Sequence, residues 1–144
     1  MVQKTERLPQ KMKLKFAKIS DAKKVAKIFS QIGEKPAHRV IDLIKEKRVM
    51  VLKDKKKIKA AFSFTLFSIT GFFTYMYIQK LGVAPELNGQ GVGTLLLTRI
   101  KLLNVKLGIT ALFLFSVSSA QNFYKKNKLK FIARFFWWRH DHGL

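Results

Sequence analysis

The chain has 144 residues, 48 % of them apolar and 26 % charged, a composition that buries a core and excludes a disordered tail, a collagen-like chain or a coiled-coil rod. Cysteine is absent, which excludes disulfides and thiolate metal sites. The length fits one domain, and the balance of 29 Lys and Arg against 8 Asp and Glu, +21 overall, attracts phosphates, nucleic acids and acidic surfaces.

The basic excess is 23 Lys against 6 Arg. Readers of phosphates and bases favour the planar fork of Arg, so a solvated Lys-rich surface is as good a reading as a nucleic-acid footprint. The first ten residues lack the apolar stretch of a secretory signal, and a cytoplasmic location is expected.

Lys13 to Ile19 alternates charge and apolar groups and predicts an opening strand. Ser20-Asp21 then offers an N-cap to a helix with Val25, Ile28, Phe29 and Ile32 on one face, ending at Gly33. Pro36 precedes a second helix with an apolar face of Val40, Ile41 and Ile44. Arg48 to Lys53 is a short strand, and the lysines from Lys53 to Lys59 read as a solvated turn.

Residues 60–78 are 19 without a charge, close to the length that spans a bilayer. Phe62, Phe64 and Leu66 alternate with Ser63 and Thr65, however, and Ser68 to Gly71 reads as a turn. The segment is two strands of a hairpin, from Ile58 to Phe67 and from Phe72 to Val83, and no membrane span is expected. Pro85 ends it.

Asn88 to Gly93 is a glycine-rich turn that opens into a helix from Val92 to Leu107, whose expected buried stripe is Val92, Leu96, Ile100, Leu103 and Leu107. Gly108 stops it. Thr110 to Val117 is a continuous apolar strand, Ser118-Ser119 caps a short helix through Lys126, and Phe131 to Trp138 is a last aromatic strand. Phe135 to Trp138 could stack bases; a covered strand, or an edge that pairs with a second copy, is preferred, and a homodimer is an expectation of that kind. A strand–helix–strand crossover after a hairpin implies an α/β chain with a mixed sheet and helices on both faces.

The chemistry sits in Leu81-Gly82-Val83-Ala84-Pro85-Glu86-Leu87-Asn88-Gly89-Gln90-Gly91-Val92-Gly93-Thr94. Alternating glycines point successive amides at one spot, at the positive end of a helix, which suits a pyrophosphate. A P-loop is excluded because Gly93 is followed by Thr94-Leu95. A dinucleotide fold is excluded because Leu87 to His140 contains no acid to hold a ribose.

Val83-x-Pro85 followed by Asn88-Gly89-Gln90-Gly91-Val92-Gly93 resembles the signature of the GNAT superfamily of acyl-CoA-dependent N-acyltransferases, as does the Ala120 to Tyr124 segment. The resemblance implies a single domain over residues 1–144, with a mostly antiparallel sheet of six to seven strands. It implies acetyl-CoA as acyl donor, its pyrophosphate on the amides of Asn88, Gly89, Gln90, Gly91, Val92, Gly93 and Thr94. Leu81, Gly82 and Val83 would hold the pantetheine arm, and an amide at or near Val83 would polarise the thioester carbonyl. Tyr124 would protonate the leaving thiolate, and Asn122 is a further coenzyme contact.

Three departures stand out, of which one is the segment between Val117 and Tyr124, shorter than the family's usual one and without its common Asn. Asn88 replaces the usual Arg or Gln. Gln79 stands where a glutamate base is common, which leaves Glu34, His38, a water chain, or His140 and His142 as candidates. Glu86 reads as a solvated loop carboxylate, and no metal site is expected from the His140-Asp141-His142 tail. The positive surface favours a small-molecule or peptide amine acceptor, an anionic one above all. A coenzyme-binding module without transferase activity and an enzyme directed at RNA or aminoacyl-tRNA are the alternatives.

Overall fold

The computed structural model describes residues 12–31, 38–69, 71, 73–115, 120–132 and 135–139. Its strands are β1 (Met12–Phe16), β2 (Val49–Asp54), β3 (Lys57–Ile69), β4 (Phe73–Val83), β5 (Ala111–Phe115), β6 (Lys130–Ile132) and β7 (Phe135–Arg139). The helices are α1 (Ala22–Ser30), α2 (His38–Lys45), α3 (Val92–Leu107) and α4 (Gln121–Lys126). The strands form a seven-stranded sheet in the order β1-β2-β3-β4-β5-β7-β6. Among the registers described, β4–β5 is the parallel pair, as a crossover through α3 requires, and the others are antiparallel.

Two compact units are distinguishable. The first comprises Met1–Ser63 and Lys80–Leu96. In it, Val25, Ile28 and Phe29 of α1 and Val40 and Ile44 of α2 pack against Val49, Val51 and Ala61 of the sheet. Alternation along β2 places Lys53 on the same side as Val49 and Val51. Lys53 therefore reaches the start of α1, where its ammonium lies 3.1 Å from Asp21, their side chains 12 % and 10 % exposed. Asp21 also accepts a hydrogen bond from the Lys18 amide at 2.8 Å. It stands at the N-cap position of α1 but makes no capping bond. Two expectations are corrected here. Asp21 anchors a lysine instead of capping, and Lys53 is a buried partner, not part of the solvated turn; the cause is the sheet's two-residue period. Ile41 is also 39 % exposed, because α2 turns Val40 and Ile44 inward.

The second unit comprises Phe64–Gln79 and Leu97–Leu144. Leu97 and Ile100 of α3 are fully buried, as are Leu112 and Phe136 of the strands. Leu103 is only half-buried and Leu107 is 61 % exposed, against expectation, because the buried row steps from Ile100 to Asn104. A polar residue at an inward position misleads a reading based on apolarity. The Asn104 amide nitrogen reaches only the Met76 sulfur at 4.0 Å, and its carbonyl oxygen is buried without a partner. An unmade hydrogen bond of this kind costs about 1–3 kcal/mol. Asn104→Leu is therefore expected to raise stability by roughly 1–2 kcal/mol, read as an increased urea midpoint at unchanged slope.

Lys101 is half-buried beside this row. Its ammonium donates to the Asn127 carbonyl and lies 5.7 Å from the centre of the Trp138 ring, tying α3 to the end of α4 and to β7. Burial, and then the neighbouring charge of Lys128, lowers its pKa.

The expected final strand is two strands, β6 and β7, paired antiparallel from Lys130/Trp137 to Ile132/Phe135. No Gly, Pro or Asn separates β6 from β7 in the sequence, so the segment reads as one strand. β7 consequently lies between β5 and β6, so of the two expectations for it, a covered strand or an edge, the edge is corrected. The sequence reading of residues 60–78 as a hairpin agrees with β3 and β4, and no helix among the described residues is long and apolar enough to cross a membrane.

Candidate acyl-transfer site

β4 pairs with β5 from Tyr75/Ala111 to Ile78/Leu114, while β4 itself runs on to Val83. Leu81, Gly82 and Val83 lie in this extension, all half-buried. On its other side the Ala84 amide donates to the Lys59 carbonyl at 2.9 Å, holding the strand end to β3. Pro85 then starts a single 3-10 turn through Leu87, since proline has no amide to continue the ladder.

The turn that follows is built by two left-handed residues, Gly89 and Gly91, both with φ of +81°. A side chain at either would meet no protein atom within 4 Å, so glycine is favoured by backbone conformation and not by packing. The Asn88 amide donates to the Pro85 carbonyl and the Gln90 amide to the Leu87 carbonyl, each at 3.2 Å. The first helical bond of α3 runs from the Leu95 amide to the Gly91 carbonyl at 3.1 Å. Among the described residues, the amides of Gly89, Gly91, Val92, Gly93 and Thr94 have no backbone acceptor. Of the seven amides expected to hold an anion, two are turned into the chain's own loop and five are left. They cluster at the N-terminus of a 16-residue helix, where the dipole favours negative charge.

Glu86 flanks this turn, exposed, 3.3 Å from the Lys24 ammonium of α1. Hydrogen bonding to its own backbone, and then to Lys24, lowers its pKa, which keeps it an ionised surface carboxylate. This ion pair links positions 62 apart, and no local sequence pattern announces it. An open, mainly apolar groove is lined by Ala22 and Ala26 of α1 and Ile41 of α2, with Lys23 and Lys27 among its lining residues.

Tyr124 is on α4 in the second unit, buried against Phe123 and Phe136 at ring-centroid distances of 5.1 and 5.3 Å. Desolvation pushes its phenol pKa up to about 12. The group is therefore fully protonated at neutral pH. Asn122, one position before Phe123, is exposed. Gln79 is exposed on β4 and cannot accept a proton. Of the base candidates, Glu34, His140 and His142 lie outside the described residues, as do Ser118 and Ser119, and His38 opens α2 with its side chain outside the description.

Free amides beside left-handed glycines at a helix start fit the diphosphate of a coenzyme, which needs donors and no side-chain charge. A family model described as an acetyltransferase (GNAT) domain matches residues 45–128, more than half of the chain. No curated protein sequence matches it significantly. Among solved structures, Ard1 from Thermoplasma volcanium is similar with a TM-score of 0.75 at 16 % identity, over 90 % of this chain and 97 % of that one. N-acetylglutamate synthase from Neisseria gonorrhoeae, complexed with coenzyme A and N-acetyl-glutamate, has a TM-score of 0.71 at 14 % identity, over 89 % of this chain and 35 % of the synthase. An aminoglycoside acetyltransferase, meta-AAC0020 from an uncultured soil metagenomic sample in complex with sisomicin, has a TM-score of 0.65 at 16 % identity, over 83 % and 88 %. At these identities the likeness to solved structures is one of fold.

Proposed function

This chain belongs to the GNAT family of acyl-CoA-dependent N-acyltransferases, and we propose that it is a single cytoplasmic catalytic domain that acetylates a primary amine by direct attack. The family's donor, acetyl-CoA, supplies an activated thioester. The observation that carries the reading is the set of five amides at Gly89, Gly91, Val92, Gly93 and Thr94 without backbone acceptors among the described residues. They bind the donor's diphosphate, with the side chains of Asn88, Gln90 and Asn122 as further contacts. Leu81, Gly82 and Val83 align the pantetheine arm as a short added strand, and the Val83 amide polarises the acyl carbonyl.

Tyr124 holds the proton that the departing thiolate takes up from its phenol oxygen. Its raised pKa keeps that proton in place throughout the working range, so no alkaline loss of kcat below pH about 11 originates from this group. Alignment and electrostatic stabilisation, without a covalent enzyme intermediate, provide the rate. The acceptor we favour is an anionic amine, because Lys23 and Lys27 lie on the lining of the α1 groove and the chain carries +21.

The test is a thiol-release assay over a library of acidic, neutral and polycationic amines, with the native chain and Tyr124→Phe. Turnover with acidic amines is expected, and Tyr124→Phe should lower kcat by about 100-fold at unchanged coenzyme affinity, within the range of a lost general acid. Turnover with spermidine and none with acidic amines overturns the acceptor class. Unchanged turnover removes Tyr124 as the acid. Coenzyme binding with no release across the library identifies a non-transferring module, the reading that Gln79 in the place of a glutamate favours.

A further inference from the structure

The second unit presents two different faces. On one, α3 packs through Asn104 against Met76 and through Lys101 over Trp138, and α4 packs through Tyr124 against Phe136. The opposite face carries aromatic rings. Phe67, Tyr75 and Phe113 stand on the neighbouring strands β3, β4 and β5, with successive ring centroids 5.5 and 5.5 Å apart. Phe67 is 41 % exposed and Phe73, at the outer end of β4, is 48 % exposed, while Tyr75, Tyr77 and Phe113 are half-buried.

Register adds cations to this same side. Tyr75 pairs with Ala111 and Ala111 with Arg139; Tyr77 pairs with Phe113, Phe113 with Trp137, and Trp137 with Lys130. Paired residues share a sheet face, so exposed Arg139 and Lys130 flank the ladder of rings. The described residues of this unit contain six Lys and two Arg and no Asp or Glu. The ligand that matches a row of contacting rings, tilted 30° and 47° to one another, with cations on the same sheet face is a strand of bases on a phosphate backbone.

We propose that this face binds single-stranded nucleic acid, bases stacking on Phe67, Tyr75 and Phe113 and phosphates meeting Arg139 and Lys130. An anionic bilayer is the competing occupant, and the vesicle arm below tests it. The proposal does not depend on acyl transfer.

The full chain is titrated with fluorescent 12-residue oligouridylate and oligothymidylate, with inorganic polyphosphate of equal charge as competitor. Vesicles containing anionic phospholipid form a separate arm. Binding is expected to weaken steeply with salt and to resist polyphosphate at equal charge. Tyr75→Leu, which keeps bulk and removes the π face, should weaken it about 5- to 100-fold, the range for one lost stack. The thermal transition and coenzyme binding of the variant serve as fold controls. If they shift, Phe67→Leu at the more exposed end replaces it with the same expected direction. Absence of oligonucleotide binding overturns the proposal. So does affinity that both variants leave unchanged, equal competition by polyphosphate, or preference for the vesicles.

Discussion

Gly91→Val is expected to weaken acetyl-CoA binding by roughly 10- to 100-fold and to cost about 1–3 kcal/mol of stability. Gly91 holds φ at +81°, a region closed to a β-branched residue, and its carbonyl accepts the first hydrogen bond of α3. Valine forces that peptide to rotate, which turns the amides of Gly91 and Val92 away from any common anion. Each charge-assisted bond lost is worth about 1.5–3 kcal/mol, and about 1.4 kcal/mol is tenfold in affinity. Because an added side chain meets no protein atom within 4 Å, crowding does not contribute. Gly91→Asn, which tolerates the left-handed region, should therefore keep most of the stability. Calorimetric titration with coenzyme A, beside thermal unfolding, checks both parts. Wild-type affinity in Gly91→Val would remove this turn as the diphosphate site.

Lys53→Met should produce the largest loss of stability among charge substitutions, about 2–4 kcal/mol. Removing the ammonium leaves the Asp21 carboxylate, 10 % exposed, with the Lys18 amide and little water to compensate it. The pair itself need not be strongly stabilising; the loss arises from stranding one charge. Lys24→Met breaks the ion pair with exposed Glu86 and should leave the urea midpoint unchanged, since solvent already screens that contact. Equal effects from the two substitutions would contradict the burial argument. Both belong to the first unit, so one unfolding transition reports on them under the same conditions.

The mixed sheet, the order of its first five strands and the extent of α3 were legible because they rest on local rules. Alternation marked β3 and β4, Gly108 marked the end of α3, and Pro85 marked the end of β4. The turn of Asn88 to Gly93 was legible for the same reason: glycine takes the left-handed conformation found at positions 89 and 91 without steric cost, so the turn is written into the residue type. The misreadings share a cause as well. Asn104 in the buried row, Lys53 under α1 and the split between β6 and β7 run against the average behaviour of their residue types.

By itself, the sequence determined where the backbone turns, which segments alternate and where amides are left over at the start of α3, since these follow from glycine, proline and the two periods of regular structure. Which amides stay available is settled locally too, because the carbonyls of Pro85 and Leu87, three residues back, claim those of Asn88 and Gln90. Only the tertiary structure decided that the Ala84 amide is held by the Lys59 carbonyl. It also decided that Asp21 receives Lys53, that burial raises the Tyr124 pKa, and that Arg139 and Lys130 share a face with Tyr75 and Phe113. Contacts between residues distant in the chain depend on how strands register and on what water is excluded, and no local pattern encodes either.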